Sequence, residues 1–241
     1  MGEGRVEPFL SVVIPAYNEE ERLPPTLARI GEYLAEQSYE SEIVVVDNAS
    51  SDRTSDVARP SGATVLAEPR RGKGAAVRTG MLAARGEYIL FSDADLSTPI
   101  EEVERLLEAL RRGHDIAIAS RGLAESKLPV RQPWYRELVG RVGNVVVRLA
   151  AVHGIADTQC GFKLFPREVA HRLFGAQLMT GIAFDMEILF LAQRLGLRIA
   201  EVPVTWVDSP DTRISRVRDS LDALKDLARI RWNWLRGRYP L

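Results

Sequence analysis

The chain has 241 residues, of which 46% are hydrophobic and 27% charged, a balance typical of a soluble globular protein. Its formal net charge of −1 provides no general attraction to nucleic acid, so we expect no nucleic-acid partner. A single cysteine excludes an intrachain disulfide, and the three histidines show no zinc-ligand spacing. The polar first nine residues predict no signal peptide, and there is no run of about twenty apolar residues to predict a membrane-spanning helix.

Strand and helix patterns alternate through the first half of the chain. Apolar runs over 9–14, 42–46 and 63–67 predict buried strands. Leucines and an isoleucine at helical spacing predict a helix from about 19 to 37, and a short helix is expected to end near residue 59. This β-α-β-α-β order predicts a parallel sheet with right-handed crossovers.

Two aspartates, Asp93 and Asp95, follow the apolar run over 88–91, where a buried strand should end. Ligands of an open α/β sheet bind outside the carboxyl ends of its strands. Two neighbouring carboxylates repel each other unless a cation lies between them. The pattern therefore predicts either a Mg²⁺ or Mn²⁺ site that carries a phosphorylated ligand, or solvated acids that cap the next helix.

A basic glycine-containing stretch precedes the helix predicted over 75–84. Gly72-Lys73-Gly74 places a cation and open backbone amides at a helix N-terminus, an arrangement that suits an anion. The spacing and the trailing Ser or Thr of a P-loop are absent. The stretch predicts either phosphate contact or a flexible basic loop.

The second half is predicted to continue the α/β pattern as one domain, because no repeat or long linker is present. The predicted elements are a helix over 98–113, a strand over 115–120, a helix over 133–152, a turn and short strand over 157–166, helices over 166–174 and 183–195, a strand over 199–207 and a tail helix over 216–235. Pro203 predicts that its strand lies at an edge or is irregular.

Four motifs in order resemble the family 2 glycosyltransferases of the GT-A fold. They are Val-Val-Ile-Pro-Ala-Tyr-Asn-Glu at 12–19, Val-Val-Val-Asp-Asn-Ala-Ser-Ser-Asp at 44–52, Arg-Gly-Lys-Gly at 71–74 and Asp-Ala-Asp at 93–95. Each motif is weak evidence alone, but the four motifs in this order are strong evidence for the resemblance. The resemblance runs from about residue 10 to 215. The segments 157–165 and 183–187 are most similar to those of dolichyl-phosphate β-glucosyltransferases. The polyprenyl-phosphate mannose synthases are close relatives of these enzymes.

The resemblance implies a fold and a domain organisation. The expected fold is α/β, with a Rossmann-like, mainly parallel central sheet flanked by helices and an amphipathic C-terminal helix. Residues 1–241 would form a single glycosyltransferase domain. Within it, 10–120 would bind the nucleotide-sugar, 121–215 would bind the acceptor, and 216–241 would form the C-terminal helix.

The resemblance also implies donor-site roles. The nucleotide-sugar-binding set is Pro15, Ala16, Tyr17, Glu19, Asp47, Lys73, Asp93 and Ala94. Asp47 would accept the imide N–H of uracil, or else cap a helix. Lys73 would lie near the diphosphate. Asp93 would contact ribose or metal, and Asp95 is the stronger metal ligand, so that Mg²⁺ or Mn²⁺ neutralises charge on the departing nucleotide.

A phosphate acceptor needs cations instead of a general base. A phosphomonoester has a second pKa of about 6 and is already anionic at neutral pH. The expected acceptor-binding set is Arg121, Arg136, Gln159, Lys163 and Arg213. Asp185 is the fallback general base for a hydroxyl acceptor, and otherwise orients nearby cations. Asp95, Arg121, Arg136, Asp185 and Arg213 form the expected catalytic set.

The expected function is inverting transfer of glucose from UDP-glucose to a polyprenyl phosphate of the dolichyl type. GDP-mannose as donor and a sugar hydroxyl as acceptor are the alternatives. A sugar-1-phosphate nucleotidyltransferase is less favoured, because Pro15 and its neighbours stand where such an enzyme has a basic glycine-rich loop. A non-catalytic scaffold is less favoured, because Asp47, Asp93, Asp95 and Arg213 are all present.

The tail helix bears on the location of the protein. Residues 216–241 contain seven basic and three acidic residues, and Trp232 and Trp234 lie among them. Such a segment either binds an anionic membrane surface or packs on the domain with a solvated outer face. We expect a cytoplasmic protein that is peripheral on the membrane.

Overall fold

The computed structural model describes residues 7–123, 125, 126, 152, 154–207 and 216–241, with side chains from 225 onward in the last range. Residues 133–151 of the helix predicted over 133–152, and the loop over 208–215, lie outside the described residues. The described elements are β1 (Leu10–Ala16), α1 (Leu23–Ala35), β2 (Ser41–Asp47), α2 (Thr54–Ala58), β3 (Thr64–Ala67), α3 (Lys73–Ala83), β4 (Tyr88–Ser92), α4 (Val103–Arg111), β5 (Ile116–Ser120), β6 (Phe162–Pro166), α5 (Arg167–Ala176), α6 (Phe184–Arg194), β7 (Ile199–Pro203) and α7 (Arg216–Leu235). Short 3₁₀ turns cover Arg59–Ser61 and Ile100–Glu102.

A seven-stranded sheet has the order β3-β2-β1-β4-β6-β5-β7. The pairs β1–β2, β1–β4, β2–β3 and β5–β7 are parallel, whereas β6 runs antiparallel to both of its neighbours. The predicted α/β class with a mainly parallel sheet is confirmed. The strand containing Pro203 is an edge strand, as its proline requires, and it ends there instead of continuing to residue 207.

Two apolar layers cover the two faces of the sheet. Side chains alternate along a strand, so Val12 and Ile14 face α1 and α4 whereas Val13 faces the layer of α3, α5 and α6. Both layers are fully buried near the strand centres. The sheet is therefore covered on each side, and its carboxyl edge is left for polar loops.

The C-terminal helix α7 packs on the α3, α5 and α6 side. Leu227 and Ile230 are buried in that layer, and the ring of Trp234 meets Phe190 at a centroid distance of 5.9 Å. Trp232 and Leu235 remain 52% and 79% exposed. Among the described residues, we find no helix with the length and apolarity needed to cross a bilayer.

Candidate active site at the carboxyl edge of the sheet

Three parallel strands bring the predicted donor-site residues to one edge. Ala16, at the end of β1, pairs in register with Asp47, at the end of β2. Asp93 directly follows β4, which pairs with β1 on its other side. The structure thus brings the segment after β1, Asp47 and the Asp93–Asp95 motif to the same edge, as expected for a parallel sheet.

The loop after β1 and the loop after β2 are locked together by hydrogen bonds. Asn18 has a left-handed φ of 54°, its amide donates to Ser50 Oγ at 3.0 Å, and its Oδ1 accepts from the Ser51 amide at 2.8 Å. The Glu19 amide donates to Thr54 Oγ1, whereas its carboxylate pairs with Arg22 at 2.6 Å. The backbone of this segment is therefore fixed.

Asp47 shapes the loop that follows it. Its Oδ1 accepts from the Ser50 amide at 3.0 Å, and its Oδ2 accepts from Ser55 Oγ at 2.5 Å. Neither contact is to a backbone amide of α2, and the N-cap position of that helix is Arg53, so the helix-capping alternative for Asp47 is wrong. Each carboxylate oxygen has a second acceptor site, so the expected contact to a nucleobase remains chemically available and stays a prediction.

Tyr17 is the exposed aromatic side chain of this edge. It is 38% exposed, and the guanidinium of Arg71 lies 5.0 Å from its ring centroid. Ala16 and Ala94 are buried, and the Ala94 carbonyl accepts from Thr26 Oγ1 at 2.8 Å. Tyr17 can therefore contact a ligand with its side chain, whereas the two alanines mainly set the backbone.

Asn48 is a functional positioning residue that the sequence analysis did not single out. Its Nδ2 donates to the carbonyls of Glu68 and Arg70, and its Oδ1 accepts from the Gly72 amide at 2.8 Å. Its own amide donates to the Ala16 carbonyl. Asn48 thereby ties the β1 and β2 ends to the basic loop; its place in the motif at 44–52 was the available signal for it in the sequence.

Lys73 contacts the first aspartate of the motif. Its Nζ lies 2.6 Å from Asp93 Oδ1, and both side chains are about one third exposed. Although burial disfavours the charged amine, Asp93, Asp185 and Asp95 together raise the pKa of Lys73 above its ordinary value. The amine is therefore a permanent cation among three carboxylates.

The expected open amide cradle at Gly72-Lys73-Gly74 is wrong for the Gly72 amide, and the neighbouring Ala75 amide is also bonded. The Gly72 amide is taken by Asn48, and the Ala75 amide donates to the Thr180 carbonyl at 3.1 Å. A Cβ at Gly72 would lie 2.3 Å from the Thr180 carbonyl oxygen, and one at Gly74 would lie 2.7 Å from Phe184 Cβ. Gly72 and Gly74 therefore allow close packing against residues 179–184. The side chain of Lys73 is the part of this stretch that can still contact an anion.

The aspartate motif offers hard oxygen ligands. Asp95 is exposed, its Oδ1 accepts from the Ser97 amide, and Leu96 between them has a left-handed φ of 46°. In the part of the chain that the structure describes, no group of three or more His, Cys, Asp or Glu side chains could hold a metal by itself. Two carboxylates beside an ammonium fit Mg²⁺ or Mn²⁺ if ligand oxygens complete the coordination.

Gly161 is a second positioning residue that the sequence analysis missed. It precedes the antiparallel strand β6, and its carbonyl accepts from the Asp93 amide at 3.0 Å. A Cβ built on Gly161 would overlap the Asp93 carboxylate. Only glycine fits here without moving Asp93, because the two backbones approach closely.

Arg121 lies near the motif but is already paired. Its Nε and Nη2 contact the two carboxylate oxygens of buried Asp157 at 2.6 and 2.9 Å, and its guanidinium lies 5.5 Å from the Trp206 ring centroid. Burial opposes the charge, but Asp157 raises the pKa of Arg121 above its ordinary value. About one third of Arg121 is exposed, so contact with an acceptor remains a prediction.

Lys163 lies in the core, contrary to its expected position at the acceptor. Its Nζ donates to Asp185 Oδ1 and to the Cys160 carbonyl, each at 2.6 Å, and the two ionised side chains are 2% and 3% exposed. Burial raises the pKa of Asp185, against the opposing attraction of Lys163 and Lys73. Lys163 thus holds Asp185, and its buried ammonium does not face an acceptor.

The remaining acceptor candidates divide into two groups. Gln159 is exposed, and its amide donates to Asp157 Oδ1 at 3.2 Å, so it lies beside Arg121. Arg136 and Arg213 lie outside the described residues, and their roles stay predictions.

This sheet, with a carboxylate motif and a basic side chain at its carboxyl edge, has the GT-A fold of glycosyltransferases. The family model for glycosyl transferase family 2 matches residues 11–174. The chain belongs to this family and is a glycosyltransferase, which confirms the expected resemblance and enzyme class.

Curated relatives and a solved structure agree with this assignment. The dolichyl-phosphate β-glucosyltransferases of Dictyostelium discoideum and Homo sapiens are 37% and 36% identical to this chain, covering 95% and 96% of it and 76% and 78% of their own lengths. A Mycobacterium tuberculosis glucosyl-3-phosphoglycerate synthase, in complex with Mn²⁺, UDP-glucose and phosphoglyceric acid, has a TM-score of 0.68 at 23% identity, over 92% of this chain and 79% of that one. The structural likeness is one of fold.

Proposed function

We propose that this protein transfers glucose from UDP-glucose to a polyprenyl phosphate of the dolichyl type, with inversion at the anomeric carbon. The observation that carries the proposal is the edge where Lys73, Asp93 and Asp95 meet the two locked loops after β1 and β2. The names of the 34–37% identical relatives support glucose as the sugar and dolichyl phosphate as the acceptor.

The donor would lie across residues 10–120. Asp47 and Tyr17 would contact the nucleoside, Asp93 and Asp95 would hold Mg²⁺ or Mn²⁺, and Lys73 would face the diphosphate. When bound, the metal neutralises charge on the leaving nucleotide. Support for the metal comes from the oxygen ligands themselves and from the Mn²⁺ and UDP-glucose complex of the fold neighbour.

The acceptor would lie against residues 121–215 and would need no general base. Its phosphate oxygen is already anionic and can attack the anomeric carbon directly. The placement of Asp185 supports this choice, because its carboxylate is buried and paired with Lys163. Arg121 and Gln159, with Arg136 and Arg213, are the groups proposed to orient the acceptor phosphate.

A turnover assay over several nucleotide-sugars tests the proposal. With a short-chain polyprenyl phosphate and Mn²⁺, UDP-glucose should give a glucosyl-phosphate lipid, and GDP-mannose should give little product. Chelation with EDTA should abolish turnover. Product from GDP-mannose alone would overturn the donor assignment, and transfer to a sugar hydroxyl but not to the lipid phosphate would overturn the acceptor assignment.

We further propose that the outer face of α7 binds the cytoplasmic surface of a membrane. Trp232 and Leu235 are exposed, and the guanidinium of Arg236 lies 4.4 Å from the Trp232 ring centroid. An aromatic ring and a leucine beside arginines suit the headgroup region of an anionic bilayer. The buried inner face explains how the helix can pack on the domain and still offer this surface.

Replacing Trp232 and Leu235 by serine should release the protein from anionic vesicles. We expect about tenfold weaker binding in a sedimentation assay, because two exposed apolar anchors are lost. Val207→Ser is the control, since Val207 is 48% exposed and lies outside α7. Equal binding of the double variant and the control would contradict the membrane assignment of this face.

A further inference from the structure

Lys73 forms an ion pair with Asp93, whose carboxylate is one of the two proposed to bind the metal. Its Nζ lies 2.6 Å from Asp93 Oδ1, and the contact is partly open to solvent because each side chain is about one third exposed. A divalent cation and this ammonium therefore compete for the same oxygen. Asp95 also attracts the Lys73 amine, so a metal would compete with Lys73 for both aspartates of the Asp93–Asp95 motif.

A second carboxylate holds Lys73 from the buried side. Asp185 attracts the Lys73 amine, and Asp185 is itself fixed by the buried ammonium of Lys163 at 2.6 Å. Both ammonium groups lie against the ring of Phe91, at 5.3 Å for Lys73 and 5.8 Å for Lys163. Charges thus alternate from Lys163 through Asp185 and Lys73 to Asp93.

The two ion pairs, Lys163–Asp185 and Lys73–Asp93, differ in their exposure to solvent. Lys163 and Asp185 are buried and cannot exchange partners with solvent, whereas Lys73 and Asp93 reach the surface. An ammonium on a flexible stem has three donors and can change one partner while it keeps the attraction of another. Lys73 can therefore leave Asp93 without leaving the field of Asp185.

We infer that Lys73 is an internal counter-cation that holds Asp93 until a metal and a diphosphate enter together. Asp93 would exchange its contact with Lys73 for one with the dication, and the released Lys73 ammonium would contact the diphosphate. The exchange makes binding of metal alone unfavourable and couples it to binding of the nucleotide. The inference rests on the proposed function, because it requires a metal–diphosphate ligand at this edge.

Binding of Mn²⁺ alone and of UDP with Mn²⁺ tests the inference without turnover. In calorimetric titrations, Lys73→Met should bind Mn²⁺ alone about tenfold more tightly than the wild type, because the competing charge is gone. The same variant should bind UDP in saturating Mn²⁺ about tenfold more weakly. Lys73→Arg should keep weak binding of Mn²⁺ alone, since it restores a cation.

Arg71→Met is the matched control, since it removes one positive charge two positions away, where the guanidinium lies against Tyr17. It should leave the affinity for Mn²⁺ alone within about twofold of wild type. An equal gain in Arg71→Met and Lys73→Met, or no gain in Lys73→Met, would overturn the inference. Failure of the wild type to bind UDP with Mn²⁺ would instead refute the proposed function. Circular dichroism checks that each variant is folded.

Discussion

Lys163→Met should lower the free energy of unfolding by about 3–5 kcal/mol, because it leaves the Asp185 carboxylate buried without its partner. Both side chains are almost fully buried, and the ammonium also satisfies the Cys160 carbonyl. Removing one member of such a pair costs more than the pair contributes in total, since the remaining charge has lost its solvation. Urea denaturation at neutral pH measures the change.

A double replacement separates this explanation from simple loss of packing. Lys163→Met with Asp185→Asn removes both charges, so it should recover most of the lost stability. Lys225→Met is the control, because that lysine is exposed on α7 and its replacement should change stability by less than about 1 kcal/mol. If the double variant is as unstable as Lys163→Met, the unpaired charge is not the cause.

Gly161→Ala should reduce kcat/KM by about a hundredfold, because the added Cβ must displace the Asp93 carboxylate. An error of about 1 Å in a group that positions the reactants is enough for an effect of this size. The displaced carboxylate also loses its contact with Lys73, so binding of UDP with Mn²⁺ should weaken in parallel. Steady-state kinetics and calorimetric titration provide the two measurements.

Gly175→Ala is the matched control for this replacement. Gly175 lies in α5, and a Cβ built there meets nothing within 4 Å. We expect wild-type kinetics and unchanged or slightly increased stability, because alanine favours a helix over glycine. Normal kinetics in Gly161→Ala would mean that Asp93 is not confined as the structure places it.

The sequence predicted correctly that Asp47 and Asp93 lie at the same edge of the sheet, because this placement depends on the local order of strands and helices. Alternating strands and helices imply parallel pairing, and parallel strands bring Asp47 and Asp93 to the same edge. The burial of the strands over 10–16 and 88–92 follows from their apolar runs. Local pattern alone was sufficient for these features.

Features that depend on distant partners could not be predicted in this way. Lys163 lies in a short run, Phe-Lys-Leu-Phe, in which a lysine can face either solvent or core, and its partner is 22 positions along the chain. The direction of β6 is likewise set by its neighbours in the sheet, and nothing within the strand specifies it. Asn48 donates to carbonyls 20 and 22 positions away, so the residues next to it in the sequence do not indicate its role.

The antiparallel strand β6 has a consequence for how the protein folds. Because β6 runs opposite to β4, the residue that precedes it, Gly161, meets the residue that follows β4, Asp93. This contact joins segments far apart in the chain, and such contacts form slowly because a long loop must first close. Strands β1, β2 and β3 pair across 31 and 20 positions, whereas β4 pairs with β1 across 78 positions. We therefore expect β1 to β3 to pair first in refolding, and the Asp93 carboxylate to reach its final position only later, when β4 has paired with β1 and β6.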